Sequence, residues 1–202
     1  MLNKWKKRFE KIFKPIGRGI AKLPISPNAL TLLGLAVSLI SGYFIVRHDL
    51  TLGVIFLILS SALDMFDGLV ARIKGRVSKF GGVLDSMADR YEDGILLISL
   101  IYGGFVDLLW GLIALLGFLL VSYSRAKGEI LGLKMSGVGI LERAERLLII
   151  ILAIIITIIY PTLEIAGFSV LNITVILLAV VAHISVLQRV LFIKKKVEEP
   201  EQ

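Results

Sequence analysis

The sequence predicts an all-α integral membrane protein with six transmembrane helices and an N-terminal amphipathic interfacial helix. Three observations carry that expectation. Of 202 residues, 56% are hydrophobic, and mean hydropathy is +0.87, too apolar for an ordinary soluble domain. Six apolar stretches recur, each close to the roughly 20 residues a bilayer crossing needs. Lys and Arg gather in alternate connections, as in a chain that passes back and forth through a membrane.

Taken in order, residues 1–22 set Trp5, Phe9, Ile12, Phe13, Ile16 and Ile20 at helical spacing among eight Lys and Arg residues. This pattern predicts a helix lying on the inner leaflet. It is longer and more amphipathic than a signal-peptide n-region, and no small-residue cleavage site follows. Pro24 and Pro27 break the pattern, and Ser26-Pro27-Asn28 reads as a helix start. Spans are predicted at about 29–46, 51–72, 82–104, 108–126, 143–160 and 169–193. Arg47-His48-Asp49 turns the chain after the first. A polar loop with four glycines fills 127–142, and Tyr160-Pro161 stops the fifth span. The expected organisation is a juxtamembrane helix (1–22), a six-helix transmembrane domain (23–196) and a polar tail (197–202).

Orientation follows from counting. Eight Lys and Arg precede the first span, four lie between the second and third, five flank the loop from Arg125 to Arg146, and three close the chain, whereas the opposite connections hold only Arg47. Both termini and the ends of spans two and three that face each other are therefore expected on the cytoplasmic side of the cell membrane. The net charge of +7 reads as contact with anionic lipid headgroups and not as a nucleic-acid surface. The chain has no cysteine, which excludes disulfides, cysteine-based zinc sites and thiol nucleophiles. His48 and His183 are too far apart in sequence to suggest a histidine metal cluster.

The stretch from Asp64 to Asp89 carries the chemistry. Asp64 and Asp67 are three residues apart, Asp85 and Asp89 four apart, so each pair shares a helix face. Lys74-Gly75-Arg76 can reverse the chain between them, which brings four carboxylates together. Each would cost roughly 2.5–3.5 kcal/mol at a bilayer centre, so they must line a wet, protein-walled cavity and share a cation. Oxygen ligands of this kind suit Mg²⁺, Mn²⁺ or Ca²⁺. Small Gly68 and Ala71 let a planar ligand approach the helix, Arg72 can clamp a phosphate, and Gly81 relieves crowding opposite. Cation, arginine and carboxylate together suit phosphoryl transfer, with Asp89 the candidate base.

The pattern Asp64-x2-Asp67-Gly68-x2-Ala71-Arg72-x8-Gly81-x3-Asp85-x3-Asp89 resembles the signature of the CDP-alcohol phosphatidyltransferase family at all eight fixed positions. The six-span pattern and the amphipathic start also resemble that family. The resemblance implies a CDP-linked lipid donor, attack by a hydroxyl of a polar acceptor, and release of CMP. It implies that Asp64, Asp67, Asp85 and Asp89 surround one or two ions, Mg²⁺ or Mn²⁺, and that Asp89 is the base. Asp67, Gly68, Ala71, Arg72 and Gly81 would shape the CDP site, and Asn28 and Thr31, in a Pro27-Asn28-x2-Thr31 segment similar to one in the family, would hold the nucleotide end. It also implies a homodimer.

Ser122-Tyr-Ser-Arg125-Ala-Lys127-Gly-Glu129 and Gly139-Ile-Leu-Glu142-Arg143-Ala-Glu-Arg146 resemble the branch that uses inositol phosphate. Ser122, Arg125, Lys127, Arg143 and Arg189 are the candidate acceptor-phosphate residues, four of them cationic, as suits an acceptor already carrying a phosphate. Glycerol 3-phosphate is the alternative acceptor. A divalent-cation transporter and a structural scaffold are the alternatives of other classes. The donor lipid is phosphatidyl or archaetidyl; composition does not separate ester from ether. Lys74, Arg76 and Lys79 read as topology anchors, and Arg90 and Arg146 as snorkelling or ion-paired. Asp93, one turn past Asp89, either supports that site or makes a structural hydrogen bond.

Overall fold

A computed structural model describes residues 13–198; the first half of the expected interfacial helix and the last four residues lie outside the described residues. Seven helices run through it: α1 (13–21), α2 (Pro27–Val46), α3 (Leu50–Ile73), α4 (Lys79–Tyr102), α5 (Leu108–Ile130), α6 (Arg143–Ile159) and α7 (Val170–Glu198). A two-residue antiparallel pair, β1 (Glu164–Ile165) and β2 (Phe168–Ser169), joins α6 to α7.

The starts of these helices are written in polar side chains. Ser26 Oγ accepts from Ala29 N (3.1 Å) ahead of Pro27, a residue suited to the first helical position. Asp49 accepts from Leu52 N, Ser78 from Gly81 N, Asp107 from Leu109 and Trp110 N, and Ser169 from Asn172 N. At α6, Glu142 N donates back to Glu145 Oε2. Gly132, Gly137 and Gly139, all at positive φ, turn the loop between α5 and α6 where a β-carbon would be strained.

The expectation of six membrane spans is corrected. All six predicted helices form, but among the described residues only α2, α3, α5 and α7 are long and apolar enough to cross a bilayer. α4 carries Asp85, Asp89, Arg90, Glu92 and Asp93 within its first fifteen residues, too many charges for a lipid-facing crossing. α6 has 17 residues, about 25 Å at a rise of ~1.5 Å per residue, short of the ~30 Å hydrocarbon layer. The protein is a multi-pass membrane protein, with exposed leucine and isoleucine rows such as Leu112, Leu116 and Leu119 on α5.

The chain groups into two compact units. Among the described residues, the first comprises 13–41 and 55–92. In it, Phe13 meets Phe66 edge to face at 6.0 Å, and Gly17 lies so close to Leu69 that a β-carbon there would sit 2.5 Å from its side chain. Lys74 Nζ donates to the carbonyl oxygens of Leu23 (2.9 Å) and Ile25 (2.6 Å), tying the α1–α2 connection to the end of α3. This lysine, expected as a topology anchor, also latches these two segments together. The second unit comprises 42–54 and 93–198. Its core holds Leu97, Leu100, Ile150, Ile154, Leu171 and Val175. There α5 and α7 pack closely through small residues: a β-carbon on Gly117 would lie 2.9 Å from Ala182 Cβ, and His183 Nε2 is 3.2 Å from the Ile113 carbonyl oxygen.

That close approach gives a test of the packing. Gly117→Leu is expected to destabilise the protein by about 1–3 kcal/mol through overpacking, read as a lower thermal midpoint in detergent; an unchanged midpoint would contradict this helix contact.

Candidate active site

The first unit brings the acidic stretch together as the sequence predicts. α3 places Asp64 and Asp67 on one face, and α4 places Asp85 and Asp89 opposite. Carboxylate oxygens of Asp64, Asp67 and Asp85 lie within 4.8 Å of one another. A second group, Asp64, Asp89 and Glu92, meets the same limit, so Asp64 is common to both. Asp67 is buried and accepts a hydrogen bond from Thr31 Oγ1 on α2. Arg90 Nη1 pairs with Asp89 Oδ2 at 3.0 Å and donates to the Ser86 carbonyl oxygen at 2.7 Å. Of the two readings offered for Arg90, ion pairing is the one observed.

Glu92 was missed by sequence reasoning. It is 7% exposed, and Ser60 Oγ donates toward both its Oε1 (3.2 Å) and the Gly34 carbonyl oxygen (2.9 Å). Residues 85, 89 and 92 form an i, i+4, i+7 stripe on α4, and that spacing was the available signal. The donor set fits a hard divalent cation: five carboxylates, from two helices, with no imidazole or thiol among them.

The other donor-side candidates surround this cluster unevenly. Asn28 and Gly81 come together: a β-carbon on Gly81 would lie 3.2 Å from Asn28 Oδ1 and 3.0 Å from Ser78 Oγ, so the glycine permits the approach. A β-carbon on Gly68 would reach only ordinary contact with Arg72 Nη1, at 3.5 Å. Arg72 is exposed and Ala71 half-buried. An open groove of ≈ 500 Å³, lined by Pro24, Ile25, Ser26, Lys74 and Arg76, lies in the same unit.

The acceptor candidates all belong to the second unit and occupy different settings. Arg125 pairs with Glu129 at 2.8 Å on the exposed side of α5. Lys127 stands 5.4 Å from the Tyr123 ring centre, and Ser122 is half-buried. Arg143 Nε reaches Asp93 Oδ1 at 3.3 Å. Arg189 does not snorkel: it is 5% exposed and donates through Nε to the Val138 carbonyl oxygen (2.9 Å) and through Nη1 to that of Val121. Gly139, at φ +108°, passes directly against its guanidinium. Arg146 is buried and ion-paired to Asp93. In this unit a cavity of ≈ 600 Å³ opens at Arg47, His48 and Pro161. Its carboxylate, Asp49, caps α3, and Asp107 caps α5. Two of the acidic loop residues that a transport path would draw on are thus occupied as helix caps.

Comparison with known proteins places this geometry in a family. The family model for CDP-alcohol phosphatidyltransferase matches residues 24–187. An archaetidylinositol phosphate synthase of Pyrococcus horikoshii is 36% identical over 199 residues, covering 98% of this chain and 99% of that protein. One from Methanothermobacter thermautotrophicus is 35% identical, covering 98% and 96%. Among solved structures, Mycobacterium tuberculosis phosphatidylinositol phosphate synthase with CDP-DAG bound superimposes with a TM-score of 0.78 at 29% identity, covering 91% of this chain and 94% of that one. The same enzyme in complex with manganese and citrate gives 0.77 at 29% identity, covering 89% and 88%. Carboxylate cluster, fold and sequence agree, and the chain belongs to the CDP-alcohol phosphatidyltransferase family of membrane enzymes.

Proposed function

We propose that this protein transfers a phosphatidyl or archaetidyl group from a CDP-linked lipid to a hydroxyl of inositol phosphate, releasing CMP. The observation that carries the reading is the convergence of Asp64, Asp67, Asp85 and Asp89 from two helices. Two archaeal relatives named archaetidylinositol phosphate synthase support the acceptor, and a bacterial relative solved with CDP-DAG supports the donor.

Each side chain has a task in this reading. Asp64, Asp67 and Asp85, with Asp89 beside them, would hold Mg²⁺ or Mn²⁺; manganese is present in a structure of the bacterial relative. The cation would neutralise the donor pyrophosphate and polarise the phosphorus under attack. Thr31 fixes the buried Asp67 carboxylate through its hydroxyl. Arg72 clamps a donor phosphate, Gly68 and Ala71 leave room for the nucleotide, and Asn28 with Gly81 borders its far end. Asp89 takes the proton of the acceptor hydroxyl, and Arg90 holds the base by Oδ2. The acceptor oxygen bonds to the phosphorus that carries the lipid, the pyrophosphate P–O bond breaks, and CMP leaves with the bridging oxygen. Arg125, Lys127, Arg143 and Arg189, with Ser122, serve the acceptor phosphate. The Lys and Arg distribution supports a cytoplasmic active site and cytoplasmic termini, and the family resemblance supports a homodimer.

Asp89→Asn is expected to lower transfer about 10²–10⁴-fold with an unchanged thermal melt; retained turnover would remove Asp89 as the base. Thr31→Val leaves Asp67 without that donor, a loss of about 1–3 kcal/mol. It is expected to raise the Mn²⁺ concentration for half-maximal activity more than it lowers the maximal rate. Labelled CDP-lipid offered inositol phosphate, free inositol and glycerol 3-phosphate in parallel should give product mainly with the first. Incorporation of glycerol 3-phosphate alone would overturn the proposed acceptor, and metal flux into liposomes without lipid turnover would overturn the enzyme reading.

A further inference from the structure

Asp93 has no part in the reaction described above, yet it sits at the centre of a buried charge cluster. It is 8% exposed and divides its two oxygens between two guanidiniums. Oδ1 is 3.3 Å from Arg143 Nε, and Oδ2 is 3.6 Å from Arg146 Nη2. Both arginines stand in the first turn of α6, three residues apart on one face. Their exposures differ sharply. Arg146 is 3% exposed, and its guanidinium carbon lies 4.3 Å from the Phe118 ring centre on α5, a cation–π contact within the protein. The Arg143 side chain is 22% exposed.

This asymmetry separates their roles. Arg146 is too enclosed to meet a soluble acceptor, while Arg143 can. A carboxylate bonded at Nε grips the guanidinium by the edge nearest its own backbone and fixes the plane of the group. An oriented guanidinium that keeps exposed surface suits an acceptor already carrying a phosphate. We propose that Asp93 is a positioning residue for the acceptor phosphate: it acts through Arg143, and Arg146, held over Phe118, is the buried countercharge that keeps Asp93 in place. This rests on the inositol phosphate reading above.

The test uses the full-length protein in detergent or nanodiscs. Asp93→Asn is expected to raise KM for inositol phosphate by about tenfold or more, with kcat, KM for CDP-lipid and Mn²⁺ activation within about threefold of wild type. Arg143→Lys is expected to raise the same KM, and the double variant to be no worse than Arg143→Lys alone, because Asp93 acts through Arg143. Should the asparagine variant fail to fold, Asp93→Glu keeps the charge, shifts it by one methylene, and is expected to raise the same KM by a smaller factor. An unchanged acceptor KM in a folded variant, a fall in kcat alone, or fully additive effects would overturn the positioning role. A wild-type protein that turns over no phosphorylated acceptor would overturn the acceptor reading and this proposal together. Wild-type turnover with an indifferent Asp93→Asn overturns only the latter.

Discussion

Like charges held close together between two helices set the main constraint on this protein. Asp64, Asp67, Asp85, Asp89 and Glu92 lie within two groups that share Asp64, and carboxylates so placed repel one another strongly. The surrounding residues counter that repulsion one by one. A threonine hydroxyl from α2 meets Asp67, an arginine of α4 meets Asp89, and a serine of α3 meets Glu92. The chain spends polar groups from three helices on holding acidic side chains in one place, an arrangement suited to gripping a cation and the pyrophosphate it neutralises.

The same constraint explains why α4 departs from its neighbours. A helix that brings four acidic residues and an arginine into its first four turns is shaped by the site before it is shaped by lipid. Its second half, with buried Leu96, Leu97 and Leu100, returns to ordinary apolar packing. In the second unit, cations replace carboxylates, and they too are managed by neighbours: Arg189 by loop and helix carbonyl oxygens, Arg143 and Arg146 by Asp93.

Much of this was legible in the sequence, because the informative signals are local. Helix starts at Ser26-Pro27 and at Leu108 are encoded within a few residues, so they were placed to within about two residues of those observed. The acidic motif, with its fixed spacing, gave the cluster and the family together. Span number was not legible in the same way. The charges of α4 serve the site and at the same time weigh against its crossing, and α6 falls short by only a few residues. Long-range partners were the least visible. Lys74 finds the carbonyl oxygens of Leu23 and Ile25, some fifty residues back, and Arg189 finds those of Val121 and Val138. A basic residue near a helix end looks the same in sequence whether it reaches out to lipid headgroups or folds inward onto a backbone. Glu92 lay outside the family pattern, so only its helical phase could have revealed it.

The central claim, that the α3 and α4 carboxylates hold a divalent ion against the donor pyrophosphate, is tested most directly by anomalous scattering from manganese in crystals grown with CDP. The expected result is a manganese peak bounded by Asp64, Asp67 and Asp85 with nucleotide phosphate beside it, lost in Asp64→Asn. Manganese bound elsewhere, with nucleotide remote from these side chains, would contradict it.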